Sequence, residues 1–264
     1  MPIIYQPKGP AAEYADLAAS LYRGCSHGCK YCYAPSVLRM DRPAFGKPSP
    51  RKDVLKQLEK DALKHAGTDS RVLMSFTTDP YQAIEAKQML TREAIKILGS
   101  HGIPMNILTK NPLFAIDRDW YGFQKFDVHF GTSLCFTDDN DRLQWEPNAA
   151  PVADRFAAME LAHDKGIPTW LSIEPVINAA QALGVIMNTA EYIDHYRIGK
   201  LNHDKAREST INWRNFLFNA LESLNYSGSS YRIKDGLWRF ADQEIRERWQ
   251  QSQGDGPIGE KVAL

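Results

Sequence analysis

The run Gly24-Cys25-Ser26-His27-Gly28-Cys29-Lys30-Tyr31-Cys32-Tyr33 spaces three cysteines as C-x3-C-x2-C. A loop this short can bring three thiolates together, and thiolates are the usual ligands of iron–sulfur clusters. A four-iron cluster has four metal corners, so three protein ligands leave one iron open to a small molecule. That arrangement belongs to a cluster that does chemistry rather than only carrying electrons. The competing use is a structural zinc knuckle with His27 as fourth ligand. Zinc motifs usually pair C-x2-C or C-x4-C with a second, distant pair, which is missing here.

The rest of the chain must position that loop. Its 264 residues, 43% of them hydrophobic, suffice for one large domain, or one barrel-sized domain and a small appendage. No apolar run reaches the length of a membrane span, and the start Met1-Pro2-Ile3-Ile4-Tyr5-Gln6 lacks a secretory pattern. Four cysteines, three of them clustered, do not form a disulfide framework, so a reducing, cytoplasmic setting is expected. With 32 basic and 32 acidic residues the chain is not a globally basic nucleic-acid binder, though a local patch is not excluded.

β-like runs at 17–22, 71–76, 104–108, 128–134, 169–173 and 192–198 alternate with amphipathic stretches. A helix is expected to begin at Ser49-Pro50, with Val54, Leu55, Leu58 and Leu63 on its apolar face. A second follows Thr91, closed by Gly99 or Gly102, and others cover 151–163 and 179–190. Strand, helix and strand at intervals of about 30–40 residues argue for βαβ units and a parallel sheet. Six units predict a partial (β/α)6 TIM-like barrel over residues 1–204. The alternation stops near residue 205; 205–264 read as a C-terminal helical extension covering one end of the barrel.

In parallel α/β barrels the loops converge at the carboxyl ends of the strands. There the unusual polar residues fall in succession. The cysteine loop follows the first strand, Thr77-Thr78-Asp79-Pro80-Tyr81 the second and Thr109-Lys110-Asn111-Pro112 the third. Ser133 and Cys135 end the fourth, Glu174-Pro175 the fifth and Gly199-Lys200-Leu201-Asn202 the sixth. One convergent pocket accounts for all six.

Tyr22-Arg23-Gly24-Cys25 through Ala34, with Ser75-Phe76-Thr77-Thr78-Asp79-Pro80-Tyr81-Gln82, resembles the spore photoproduct lyase-like branch of the radical S-adenosylmethionine (SAM) superfamily, over roughly residues 20–200. The resemblance implies a partial (β/α)6 barrel and a [4Fe–4S] cluster held by Cys25, Cys29 and Cys32. It further implies that SAM binds the open iron and is cleaved to a 5′-deoxyadenosyl radical, with a reductase or flavodoxin-type protein as electron donor. Tyr31 would meet the adenine, or serve only as packing. Thr77, Thr78 and Asp79 would accept from the methionine ammonium, though such residues also cap turns. Lys110 would bind the methionine carboxylate, a surface lysine being the alternative. Ser133 and Glu174 would reach the ribose or adenine.

The branch also implies a hydrogen-donating cysteine in the strand-2 block, working with two tyrosines. Tyr31 and Tyr33 match the tyrosines, but Phe76 stands where the cysteine would be. Cys135 is a candidate substitute donor, or a small buried hydrophobe. Arg39, Arg42, Lys47, Arg51 and Lys52, opposed only by Asp41, form a basic stretch for phosphates or a solvated loop. The expected enzyme is a radical SAM lyase acting on a nucleic-acid base or nucleotide. Modification of a peptide or protein, and a zinc-binding adaptor without activity, are the alternatives.

Overall fold

The structure, a computed structural model, describes residues 2–202, 204–253 and 260–261. Its strands are β1 (Ile4–Tyr5), β2 (Leu17–Ala19), β3 (Tyr22–Arg23), β4 (Ser49–Pro50), β5 (Val72–Met74), β6 (Met105–Thr109), β7 (Val128–Ser133), β8 (Thr169–Val176), β9 (His195–Lys200), β10 (Ser230–Ile233) and β11 (Glu260–Lys261). The main sheet has the order β1-β2-β5-β6-β7-β8-β9-β10-β11. Pairing from β2 through β10 is parallel, and β1 and β11 add antiparallel at the two edges. No pairing joins the edges among the described residues, so this is an open, partial barrel.

The central strands read as short apolar runs, Val72-Leu73-Met74 being fully buried, because helices cover one face and the barrel interior the other. Those helices are Val54–His65, Leu90–Ser100, Pro112–Lys125, Val152–Asp164, Ala179–Thr189 and Trp213–Ser227. Pro112 opens its helix where a missing N–H costs nothing. The Asn178 side chain accepts from the N–H groups of Ala180 and Gln181 and so starts another.

Three elements differ from the sequence-based expectation. The run 17–22 divides: β2 enters the main sheet, whereas Tyr22–Arg23 turns away to pair with Ser49–Pro50 in a separate ribbon. Ser49-Pro50 is therefore strand, with the helix starting at Val54; Pro50 lacks a ladder donor and is tolerated at a ribbon edge. The segment after residue 204 is not only helical, since Ser230–Ile233 lies parallel to β9 as a seventh parallel strand. Four residues directly after the Gly228 turn carry too little periodicity to announce it. Among the described residues no helix is long and apolar enough to cross a membrane.

Candidate active site

The cysteine loop leaves the β3–β4 ribbon through two glycines in the left-handed region. At Gly24 (φ +89°) a Cβ would lie 2.5 Å from the Phe45 carbonyl oxygen; Gly28 has φ +70°. The Cys25 N–H donates to that Phe45 oxygen (2.9 Å), and the Cys32 N–H closes a turn on the Cys29 carbonyl (3.2 Å). Arg42 braces the loop from solvent, its guanidinium donating to the carbonyls of Cys29 (3.1 Å), Lys30 (2.8 Å) and Cys32 (3.3 Å). Cys29 is buried and Cys25 and Cys32 are half-buried, all with free thiols.

Burial pushes the Cys25 thiol up, and the nearby Asp79 carboxylate and the other two sulfurs push the same way. Burial also raises the Cys29 thiol, to about 12, although Lys110 opposes it. Three thiolates this close disfavour one another, and a cationic metal centre inverts that preference. The donor set therefore fits an iron–sulfur cluster. It does not fit the knuckle, because both nitrogens of His27 are engaged by protein. Nε2 lies 3.1 Å from Asp79 Oδ2, and Nδ1 lies 3.1 Å from the Asn148 carbonyl. Among the described residues no three His, Cys, Asp or Glu side chains converge on a single ion.

The Thr-Thr-Asp-Pro-Tyr-Gln block after β5 brackets this loop. The Thr78 hydroxyl donates to the Gly24 carbonyl (2.6 Å), and buried Gln82 accepts from the Ser26 N–H (2.9 Å) while donating to Thr78 Oγ1 (2.8 Å). Asp79 accepts from the Thr109 hydroxyl (2.7 Å) and from the N–H groups of Tyr81 and Lys110 (both 2.8 Å). Burial alone would raise its carboxyl; His27 and these donors outweigh burial and hold it at about 2. Thr78 and Asp79 thus already serve the protein, whereas among the described residues Thr77 makes only a long contact with the Ser20 hydroxyl (3.4 Å).

Residues 145–150 form a platform on the other side of the loop. The Lys30 N–H donates to the Trp145 carbonyl (2.9 Å), the Asn148 N–H to the His27 carbonyl (3.1 Å) and the Asn148 side chain to the Ser26 carbonyl (3.0 Å). Glu146, wholly buried, accepts from the Tyr31 phenol. It pairs with wholly buried Arg155 at 2.6 Å and lies 3.8 Å from Lys110 Nζ. Lys110 sits 5.7 Å from the centre of the Tyr31 ring and is only 15% exposed, so it is no surface lysine. Burial would raise the Glu146 carboxyl, but Arg155 and Lys110 keep it below its ordinary value. Burial would likewise lower the Lys110 ammonium; Glu146 keeps it raised.

The Tyr33 phenol donates to the Phe76 carbonyl (3.2 Å), its residue 43% exposed. Cys135 is wholly buried beyond the end of β7, where burial raises its thiol. Ser133, also buried, gives its carbonyl to Arg155 (2.8 Å). Glu174 accepts from the Tyr14 phenol and from Lys234 (3.1 Å), and Tyr14 also bonds the Ser172 hydroxyl (2.8 Å). Tyr14 comes from the segment before β2, which thereby reaches β8 and the end of β10 across the barrel interior.

All the sequence-selected residues except Thr77, Cys135, Ser133 and Glu174 thus contact the cysteine loop or its immediate supports. Glu146, Arg155, Gln82, Tyr14 and Lys234 were not selected. Glu146 and Arg155 look in sequence like solvated charges on a loop and a helix. Two members of the basic stretch also change role: Arg42 holds the cysteine loop, and Arg51 donates to the carbonyls of Ser20 and Pro2 (both 3.2 Å).

Comparison with known proteins agrees with this geometry. The uncharacterized protein MJ0683 of Methanocaldococcus jannaschii is 28% identical over 243 residues, covering 90% of this chain and 86% of that protein. The uncharacterized protein Rv2578c of Mycobacterium tuberculosis is 28% identical over 164 residues, 59% of this chain and 48% of that protein. Spore photoproduct lyase complexed with dinucleoside spore photoproduct superposes with a TM-score of 0.57 at 18% identity, over 73% of this chain and 58% of the lyase. SuiB of Streptococcus suis bound to S-adenosylmethionine superposes with a TM-score of 0.60 at 10% identity, over 86% of this chain and 52% of SuiB. The chain thus spans little more than half the length of either enzyme. The sequence model of the Radical SAM superfamily matches residues 19–177, well over half of the chain, with the cysteine loop inside that span. The chain belongs to the radical SAM superfamily, whose enzymes use a [4Fe–4S] cluster and S-adenosylmethionine.

Proposed function

We propose that this enzyme abstracts a hydrogen atom from a nucleic-acid base or nucleotide in a lyase- or repair-like reaction. When bound, the reduced cluster supplies the cleavage of SAM that yields a 5′-deoxyadenosyl radical. Cys25, Cys29 and Cys32 are the cluster ligands in this reading. The observation that carries it is the loop itself: three free thiols within eight residues, on a loop braced from both sides by Arg42 and by residues 145–148.

Lys110 receives the methionine carboxylate. Lys110, Arg155 and Glu146 form a buried group with two cations and one carboxylate. A buried surplus charge is costly, and one further carboxylate at the looser, 3.8 Å member balances it. Tyr31 lies against the adenine, Thr77 accepts from the ammonium while Thr78 and Asp79 hold the cysteine loop, and Ser133 and Glu174 face the ribose or adenine. Of the two candidate hydrogen donors, exposed Tyr33 is better supported than buried Cys135. The nucleic-acid target is supported by the likeness to a lyase crystallised with a dinucleoside photoproduct.

The test is an anaerobic reaction with dithionite, SAM and thymine-containing dinucleotides or oligonucleotides, followed by 5′-deoxyadenosine formation. Stimulation by a nucleotide is expected. Steady cleavage that no nucleotide stimulates, with no oligonucleotide bound at low salt, refutes the substrate reading.

A further inference from the structure

One turn of helix holds the cysteine loop by both of its ends. Asp41 accepts from the Ala44 N–H (2.7 Å) and so caps the turn Arg42–Phe45. At the far end of that turn the Phe45 carbonyl accepts from the Cys25 N–H (2.9 Å), with Gly24 packed so close that no Cβ would fit. At the near end the Arg42 guanidinium forks across the other half of the loop. It donates to the carbonyls of Cys29 (3.1 Å), Lys30 (2.8 Å) and Cys32 (3.3 Å). The neighbouring Asp41 carboxylate is engaged by the turn, and among the described residues Arg42 makes no ion pair. Its guanidinium serves the loop carbonyls.

The fork also fixes which way the peptide units point. These three peptides are trans, the cis bonds among the described residues being Met74–Ser75 and Glu174–Pro175. In a trans peptide the C=O and N–H point to opposite sides. Carbonyls turned to Arg42 therefore turn the N–H groups of Lys30, Tyr31 and Tyr33 away from it. The first of these donates to the Trp145 carbonyl (2.9 Å) on the platform. Those of Tyr31 and Tyr33 have no protein acceptor among the described residues. Close by, the His27 N–H favours the thiolate form of Cys25. Successive backbone N–H groups can form anion-binding concavities, iron–sulfur sites among them.

We propose that Arg42 is a positioning residue that makes the cluster easier to reduce, its fork holding the N–H groups of Tyr31 and Tyr33 on the thiolate side of the loop. The inference rests on the cluster-ligand reading above. Reduction adds one electron from an external reductant, with no bond made or broken in the protein. Hydrogen bonds and charge around the ligands help to set the potential of such clusters. N–H dipoles aimed at the added negative charge stabilise the reduced form more than the oxidised one. Arg42 bonds to carbonyls rather than to thiols, so it acts through the peptides.

The test is a mediated redox titration of anaerobic holoenzyme without SAM, followed by visible absorbance, on the wild type, Arg42→Met and Arg42→Lys. Arg42→Met, with the iron content of the wild type, should have a lower potential. Its reduction should be about threefold or more less favourable, which is about 28 mV for one electron at about 59 mV per tenfold. Arg42→Lys keeps a point charge but not the planar fork, so it should recover only part of that shift. A smaller shift in Arg42→Met overturns the proposal, because Arg42 is then no more than a brace. Full recovery in Arg42→Lys overturns it too, since charge alone would suffice. If Arg42→Met does not hold iron, Arg42→Lys decides: a wild-type potential there overturns the proposal, and a lowered one supports it. Failure of the ligand reading shows separately, as a wild type that holds no iron and gives no titration.

Discussion

Glu146→Gln removes one charge and little volume from the platform under the cysteine loop. Both Glu146 and Arg155 are wholly buried, and they pair at 2.6 Å. The amide still accepts from the Tyr31 phenol, so the packing survives while Arg155 and Lys110 are left as two buried cations without a carboxylate. Removing one partner of a buried pair costs about 3–5 kcal/mol, because the remaining charge stays desolvated. For a chain of this size about 1 kcal/mol corresponds to about 2–4 °C in Tm, so the midpoint should fall by about 6–20 °C. Replacing the pair together, as Glu146→Gln/Arg155→Met, removes the stranded guanidinium and should recover a large part of the loss. The two single variants and the double, unfolded as anaerobic holoprotein and followed by circular dichroism, form a cycle whose coupling should be about 0.5–3 kcal/mol. A Glu146→Gln midpoint within about 2 °C of the wild type, less than about 1 kcal/mol by the same conversion, refutes the reasoning. So does strict additivity of the two substitutions.

Cys25→Ala, Cys29→Ala and Cys32→Ala should each abolish iron binding and the brown colour, whereas Cys135→Ala should keep about four irons per chain; loss of iron from the last by metal analysis rejects the ligand assignment. Lys110→Ala should weaken SAM binding about tenfold to a hundredfold by calorimetry on the reconstituted protein, the loss of one charge-assisted hydrogen bond, with iron content unchanged. His195, bonded through Nδ1 to the Ser230 hydroxyl (2.8 Å), is held at about 3 by burial and by Arg197. The unfolded chain takes up a proton at His195 below about 6.5 that the folded chain refuses, so its contribution to stability is present above that pH and is lost towards 3. Relative to His195→Gln, wild-type stability in urea should therefore fall by about 1–2 kcal/mol between pH 7 and 5; a pH-independent difference removes His195 from the acid response.

The six strand–helix units were legible because buried parallel strands are short apolar runs separated by helical periods, a local signal. The strand Ser230–Ile233 was not legible: four residues after a turn join the sheet only because β9 presents a free edge beside them. The division of 17–22 into β2 and β3 had the same cause, the pairing of Tyr22–Arg23 with a segment about 26 residues further on. Of the site, the three cysteines, the Thr-Thr-Asp block and Lys110 were marked by residue type and by position after strands. Glu146 and Arg155 were not, because a buried ion pair and an exposed one use the same residue types.

By itself, then, the sequence determined the metal chemistry, the parallel α/β class and the strand ends where polar residues gather, since each is written in residue types at short spacing. Tertiary structure alone decided which polar groups stay free for a ligand. Thr78, Asp79, Gln82 and Arg42 all have donors or acceptors suited to a cofactor, and all are bonded to the cysteine loop instead. Whether a polar atom binds a ligand or the protein depends on what chain folding brings within about 3 Å of it, the reach of a hydrogen bond. Bonds that hold the loop reach far along the chain, the one from the Asn148 side chain to the Ser26 carbonyl spanning 122 residues, a separation that no local pattern encodes.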